Sequence, residues 1–335
     1  MRVKTTTAAR LHARAGGTLI RSGDVFAALG ISVADMVERT RGFAAALLAL
    51  ALVLTAGPAA GATVRDMLGR EVSVPSSPAR IVSLVPSVTE IVFALGGQAR
   101  LAGVTDFCDY PPAARAGPSV GGMVNPNLET LAALRPDLVF ATSEGNREET
   151  LQQLRRLRIP VYVVRARTVA ETLDLIRRVG ALIDRPEAVE PLTASLARRI
   201  AAVRAAVQPY PRPRVLYVLW PDPLVVPGRQ SIITELITLA GGRSITAADG
   251  EAYPRFSLEA AVARAPEVIL LADHAGSGSE AGRAAPEKWQ ALTSVPAIRA
   301  GRLHSVNLDV LHRYGPRIAD GLESLARLIH PEAFP

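Results

Sequence analysis

Cysteine is almost missing from this chain: Cys108 is the single one among 335 residues. No internal disulfide can form, so an exported protein of this sequence has to rely on its hydrophobic core. Charge of one sign is not in large excess either. Thirty-eight basic against 31 acidic residues give +7, and setting aside residues 1–62 leaves 31 against 28, or +3. That remainder is scattered. With aromatics at only 4% and none interleaved among the basic residues, a nucleic-acid partner has no support. The chain also lacks a G-x-S-x-G turn and a G-x-x-x-x-G-K-[ST] loop. His274, His304, His312 and His330 show no paired metal-ligand spacing. Cys108 beside Asp109 has no evident histidine partner, and Gly276-Ser277-Gly278 with Gly282 misses the dinucleotide pattern. Together these absences argue against an exported enzyme and against a resident metal or cofactor.

Long hydrophobic runs are absent too. Arg39 and Arg41 precede twelve apolar residues, Phe43 to Leu54, and small residues follow to Ala60-Gly61-Ala62. This is the layout of a secretory signal peptide cleaved after Ala62. The run is short for a membrane span, and retention as a signal anchor is the competing reading. Residues 1–35 carry no pattern, and Met36 is an alternative start. Cleavage leaves 273 residues, room for two domains of ordinary size. We expect an N-terminal extension with signal peptide over 1–62, lobes at 63–165 and 211–335, and a helical region, 166–210, between them. No cysteine follows the apolar run for lipid attachment, so a soluble protein of the space between two membranes is expected.

What is present is organised around one helical stretch, Arg185 to Gln208. Leu192, Leu196, Ile200, Val203 and Val207 recur at three- and four-residue steps and form one apolar stripe on an otherwise solvated rod. Asp184 with Pro186 starts it and Pro209, Pro211 and Pro213 stop it. Pro191 lies inside, so the helix either begins there or kinks. Two similar passages flank this rod: Asn127-Leu-Glu129-Thr-Leu-Ala-Ala-Leu-Arg-Pro136-Asp137-Leu-Val-Phe140, and Ser257-Leu-Glu259-Ala-Ala-Val-Ala-Arg-Ala-Pro266-Glu267-Val-Ile-Leu270. Each reads as polar cap, short helix, proline stop, acidic residue and buried strand. Arg80-Ile-Val-Ser-Leu and Arg214-Val-Leu-Tyr-Val open the two halves, whose next helices end in Gly96-Gly97 and Gly241-Gly242. The pattern implies an internal duplication with a helical strut between the copies.

Within each half, apolar runs alternate with helical periodicity, which predicts α/β lobes with parallel sheets. Strands are expected near 80–84, 101–104, 138–141, 161–164, 214–219, 224–226, 268–272 and 303–306. Helices are expected at 147–157, 169–182, 231–240 and after Gly315-Pro316, and Asp273 to Ala285 reads as a mobile glycine- and serine-rich loop. Open α/β sheets bind ligands at the carboxyl ends of their strands. The loops there carry Phe107, Tyr110, Met123, Trp220, Tyr253, Phe256, Asp309, Arg313 and Tyr314, much of the small aromatic supply, and two lobes facing across them make a cleft.

The segments IVSLVPSVTEIVFALG (81–96), DYPP (109–112), NLETLAALRPDLVF (127–140) and FSLEAAVARAPEVI (256–269) resemble the periplasmic cobalamin-binding proteins of ATP-driven importers. These belong to a wider group that also captures haem and iron–siderophores, and the resemblance covers about residues 78–330. It implies two Rossmann-like α/β lobes joined by one rigid helix, and a monomer that hands its ligand to a membrane permease dimer. A single helix spanning the lobes resists bending, so small closure and binding without chemistry are expected. It further implies that Glu129 and Glu259 are the surface carboxylates, one per lobe, that dock on permease arginines. A first-turn glutamate is also favoured by its own helix, at about 0.3–1 kcal/mol. Phe107, Met123, Leu219, Val225 and Tyr253 fall on the family's cleft positions, and Asp309 and Arg313 on polar positions at the corrin's edge. Tryptophans of the family correspond here to Met123 and Tyr253, and phenylalanines to Leu219 and Val225, with Trp220 next door placed to compensate; Tyr110 is a further candidate from the DYPP loop. Haem, the rival ligand, would take an axial bond from Tyr110, Tyr253, His312 or Tyr314. An anionic siderophore would favour arginines, for which Arg255, Arg313 and Arg317 are the candidates.

Overall fold

The structure is a computed structural model that describes residues 61–273 and 280–334. Residues 1–60, with the expected signal segment, lie outside these, as do residues 274–279 of the expected loop. The rest of that loop is not one: from Glu280 the chain is helical. Glu280, Ala281, Ala284 and Ala285 are competent helix formers, and the glycines nearby masked this.

The first described element was not foreseen. β1 (Ala62–Arg65) and β2 (Glu71–Val74) form an antiparallel hairpin in which Ala62 faces Val74. A chain cut after Ala62 therefore keeps Thr63 to Arg65 of this strand. The hairpin leans on the first lobe through Val74 and Val64. That lobe then builds β3 (Ile81–Ser83), α1 (Pro86–Ala94), β4 (Leu101–Val104), α2 (Leu128–Ala133), β5 (Leu138–Thr142), α3 (Glu148–Arg156) and β6 (Val161–Val164). The strands pair in parallel in the order β4-β3-β5-β6. Both faces of the sheet are covered, which is why its strands read as unbroken apolar runs.

Next come α4 (Val169–Leu182) and α5 (Pro186–Val207). The second lobe contains β7 (Arg214–Val218), β8 (Trp220–Pro221), β9 (Leu224–Val225), α6 (Ile232–Leu239), β10 (Arg243–Ser244), α7 (Leu258–Ala263), β11 (Val268–Asp273), α8 (Glu280–Gln290), α9 (Pro296–Arg299), β12 (Leu303–Asn307), α10 (Leu308–His312) and α11 (Ile318–Ile329). Its parallel sheet runs β10-β7-β11-β12. Counting strands from each lobe's first, both sheets have the order second-first-third-fourth, as a duplication requires. The small β8–β9 hairpin is an addition to the second copy.

The duplication extends to single bonds. The Asp137 carboxylate accepts from the backbone N–H groups of Ala79 and Arg80, at 2.8 and 3.0 Å. Glu267 accepts from the N–H of Arg214 at 2.8 Å. The Arg80 Nε donates to the Leu134 carbonyl and the Arg214 Nε to that of Ala265, each at 2.8 Å. Arg135 and Ala265, each preceding the proline stop, share the same left-handed φ of 46°. The acid after each proline thus ties the start of the neighbouring strand, which explains why the motif repeats.

α5 is continuous for 22 residues, about 33 Å at the helical rise. It begins at Pro186 and runs through Pro191, which costs one backbone hydrogen bond without ending the helix. Its buried line is Val189, Thr193, Leu196, Ile200, Val203 and Val207, with Leu192 only half-buried. Val189 and Leu196 sit in the first lobe's core and Ile200, Val203 and Val207 in the second's. One helix is therefore part of both cores. Arg199, at its midpoint, is gripped by Glu323 at 2.7 and 2.8 Å and by Asp320 at 2.5 Å, both on α11.

Candidate functional site

The carboxyl ends of the two sheets face each other across a cleft of about 520 Å³. On the first lobe, β4 ends at Val104 and the loop beyond places Phe107, 56% exposed, on the rim. The anchor beneath is polar: buried Cys108 lies 3.2 Å from the hydroxyls of both Thr89 and Thr105. Met123 comes from a loop held by Asn146, whose amide nitrogen donates to the Met123 carbonyl at 2.6 Å while its oxygen accepts from Thr142 N–H at 2.7 Å. A Cβ on Gly145 would come within 2.2 Å of the Met123 methyl, so glycine there is what lets Met123 lie across the loop.

On the second lobe, the Leu219 N–H donates to the Val225 carbonyl at 2.9 Å, and the β8–β9 hairpin in turn supports residues 254–256. This carries Tyr253 into the cleft. Of the expected site, Phe107, Met123, Leu219, Tyr253, Asp309 and Arg313 line the cavity together. Trp220 and Val225 do not; they pair with each other across the hairpin, and Trp220 Nε1 donates to the Asp222 carbonyl. Neighbours along extended backbone point to opposite faces, so Leu219 and Trp220 cannot both reach one cavity. Tyr110 also lies outside, with the Arg317 guanidinium 4.0 Å above its ring.

Arg313 is placed as expected but engaged otherwise. It donates to Asp309 at 2.8 Å, the pairing its four-residue spacing allows, and to Asp109 of the opposite lobe. Glu90 lies 3.7 Å away and is itself held by Arg317 through two bonds of 2.6 and 2.8 Å. Glu90 is 3% exposed. Its burial raises its pKa, and the two guanidinium groups oppose that rise. The Arg313 guanidinium beside Asp109 holds that carboxyl below the usual range. These pairs join α1 of one lobe to the segment before α11 of the other, at the floor of the cleft.

The second lobe's side of the cleft is aromatic. The Tyr253 and Tyr314 hydroxyls share a bond of 2.7 Å, and Tyr217 bonds His312 Nε2 at 2.9 Å. Burial pushes all three phenols above the ordinary tyrosine range, so they stay protonated at neutral pH. Further lining comes from Ser87, Thr142, Glu144 and Arg167, which the sequence analysis did not assign. The strand-end rule covers the loop after β5 and hence the neighbourhood of Glu144; nothing local marks Arg167. Arg255 is exposed and does not line the cavity, and Arg317 is spent on Glu90. Glu129 and Glu259 are both exposed in the first turns of α2 and α7, capped by Asn127 and Ser257. Among the described residues no helix is long and apolar enough to cross a membrane.

Two parallel-sheet lobes, one shared helix and a cleft between strand ends define a two-lobed substrate-binding protein. Residues 81–306 match the family model described as periplasmic binding protein, and the chain belongs to that family. It is 32% identical over 239 residues to a vitamin B12-binding protein of Salmonella typhimurium, spanning 71% of this chain and 85% of that one. The crystal structure of the periplasmic vitamin B12 binding protein BtuF of Vibrio cholerae superposes with a TM-score of 0.66 at 28% identity, covering 78% of this chain and all of that one. A periplasmic heme binding protein from Pseudomonas aeruginosa does so with a TM-score of 0.67 at 30% identity, covering 77% and 95%. These relatives are named for binding, not for catalysis.

Proposed function

We propose that the chain is the periplasmic ligand-capturing component of an ATP-driven importer, taking cobalamin or a related corrinoid between its lobes. The observation that carries this reading is the cleft itself. Phe107 and Met123 on one rim oppose Leu219 and Tyr253 on the other, so a flat macrocycle finds apolar surface on both faces. Asp309 lies at its edge, where it can accept from peripheral amides. Glu129 and Glu259, one exposed carboxylate at the same place on each lobe, suit docking on a two-fold permease. The protein acts as a monomer that meets the permease dimer with its ligand enclosed.

A second reading has its own support: Tyr253, His312 and Tyr314 cluster in the cleft, and each is a residue type that ligates haem iron. Titration of the purified protein, followed by absorbance and heat, separates the two. Saturable uptake of cyanocobalamin with no Soret change on adding haemin supports the corrinoid reading. A sharp Soret band with no cobalamin heat transfers the cleft to haem.

Closure should be small, because α5 belongs to both cores and the Glu90–Arg317 pair bridges the lobes. Crystals with and without ligand are expected to differ by a lobe rotation of a few degrees. A wide hinge opening would contradict this.

A further inference from the structure

We propose that Glu144 makes this cleft selective for macrocycles edged with amides over macrocycles edged with carboxylates. The inference rests on the corrinoid reading above. Four of the described lining residues carry formal charge, Glu144, Arg167, Asp309 and Arg313, and the two signs balance. Neither cation is uncommitted. Arg313, its side chain 11% exposed, is held by Asp309 and Asp109, with Glu90 behind. Arg317 is taken by Glu90, and Arg115 reaches Asp109 from the solvent side. Arg167 Nε donates to Glu144 Oε1 at 3.4 Å. Among the described lining residues, each arginine already faces a carboxylate when a further one arrives.

Glu144 itself stands opposite the second lobe's phenols. Burial is the main cause of the raised Tyr253 and Tyr314 pKa values, and the charge of Glu144 adds to both. A propionate entering between Glu144 and this pair of tyrosines would meet a like charge in a site half shielded from water. A carboxamide meets no such repulsion. Its N–H donates to Glu144 and its carbonyl accepts from Arg167, so the existing pair receives both of its ends. Corrin rings of the cobalamin type carry acetamide and propionamide arms, whereas haem carries propionates and many iron–siderophores are anionic. The same pair therefore assists one class and opposes the other.

The test is calorimetric titration with cyanocobalamin and with cobalamin derivatives in which one propionamide is hydrolysed to a carboxylate, together with haemin as a probe. Wild type is expected to bind cyanocobalamin about tenfold more tightly than its most disfavoured monocarboxylate, the like-charge cost discounted for the solvent around a half-exposed side chain. Glu144→Gln should close most of that ratio and strengthen haemin binding. Raising the salt concentration should narrow the ratio for wild type and leave it little changed in the variant. Glu187→Gln, exposed on α5 and not among the cleft-lining residues, serves as the charge control and should keep the wild-type ratio. Equal affinity for amide and carboxylate forms in wild type, or an unchanged ratio in Glu144→Gln, overturns this inference alone. Failure of wild type to bind either corrinoid overturns it together with the reading on which it rests.

Discussion

Glu90→Ala is expected to lower the folding free energy by about 3–5 kcal/mol, the usual cost of removing one member of a buried, hydrogen-bonded charge pair. Glu90 is 3% exposed and makes both of its bonds, 2.6 and 2.8 Å, to Arg317. Its removal leaves the Arg317 guanidinium without its carboxylate and takes the third of three anions away from Arg313, 3.7 Å off. The cavity left by the Cγ methylene and the carboxylate adds to the loss. Because α1 belongs to the first lobe and Arg317 to the second, the damage falls on the joint between them. Urea unfolding checks this through a lowered midpoint. The double replacement Glu90→Leu with Arg317→Met should recover much of the difference, since the desolvation cost of both charges disappears with them. A single variant as stable as wild type would mean that the pair adds nothing to the joint.

The double variant Glu129→Ala with Glu259→Ala is expected to keep ligand affinity and to reduce ATP-driven uptake by at least about a hundredfold, the effect of cutting two charged contacts at one interface. Both side chains are solvent-exposed in the first turn of twin six-residue helices, each behind a capping side chain. Neither lines the cleft. Glu259 is also pre-positioned, accepting from the Ser257 hydroxyl at 2.5 Å, which holds its carboxyl below the usual range. Each single variant should lose part of the uptake, and the loss should fade into the wild-type salt dependence at high ionic strength. Uptake by the double variant equal to wild type would remove these residues from the docking surface.

The parts of this molecule that were legible beforehand are those written into local pattern. The strut was visible because its apolar residues repeat at helical steps, and the two halves because Pro136-Asp137 and Pro266-Glu267 recur in the same frame. That frame has a cause: both acids tie a neighbouring strand, and Arg135 and Ala265 turn the backbone identically before the proline. Rim residues such as Phe107, Met123 and Tyr253 followed from the rule that ligands meet strand ends.

Long-range charge pairing was the part that stayed hidden. Glu90 sits in an apolar helical run and reads as a surface glutamate until Arg317, 227 residues away, is brought against it. Arg313 lines the cleft, and its bond to Asp109 could not be read locally because Asp109 lies on the other lobe. Trp220 is expected at the site as a strand-end aromatic and Val225 on the strength of resemblance. The alternation of a two-residue hairpin turns them away while bringing Leu219 in. The β1–β2 hairpin escaped notice because half of its residues are polar and its strands are four residues long.

Hydrogen–deuterium exchange with and without cyanocobalamin tests most directly that one ligand is held by both lobes. The account predicts slowed exchange in the loops around Phe107 and Met123 and, at the same ligand concentration, in the segments around Leu219 and Tyr253. Protection on one lobe alone, or protection around Glu129 and Glu259 with none at the cleft, would contradict it.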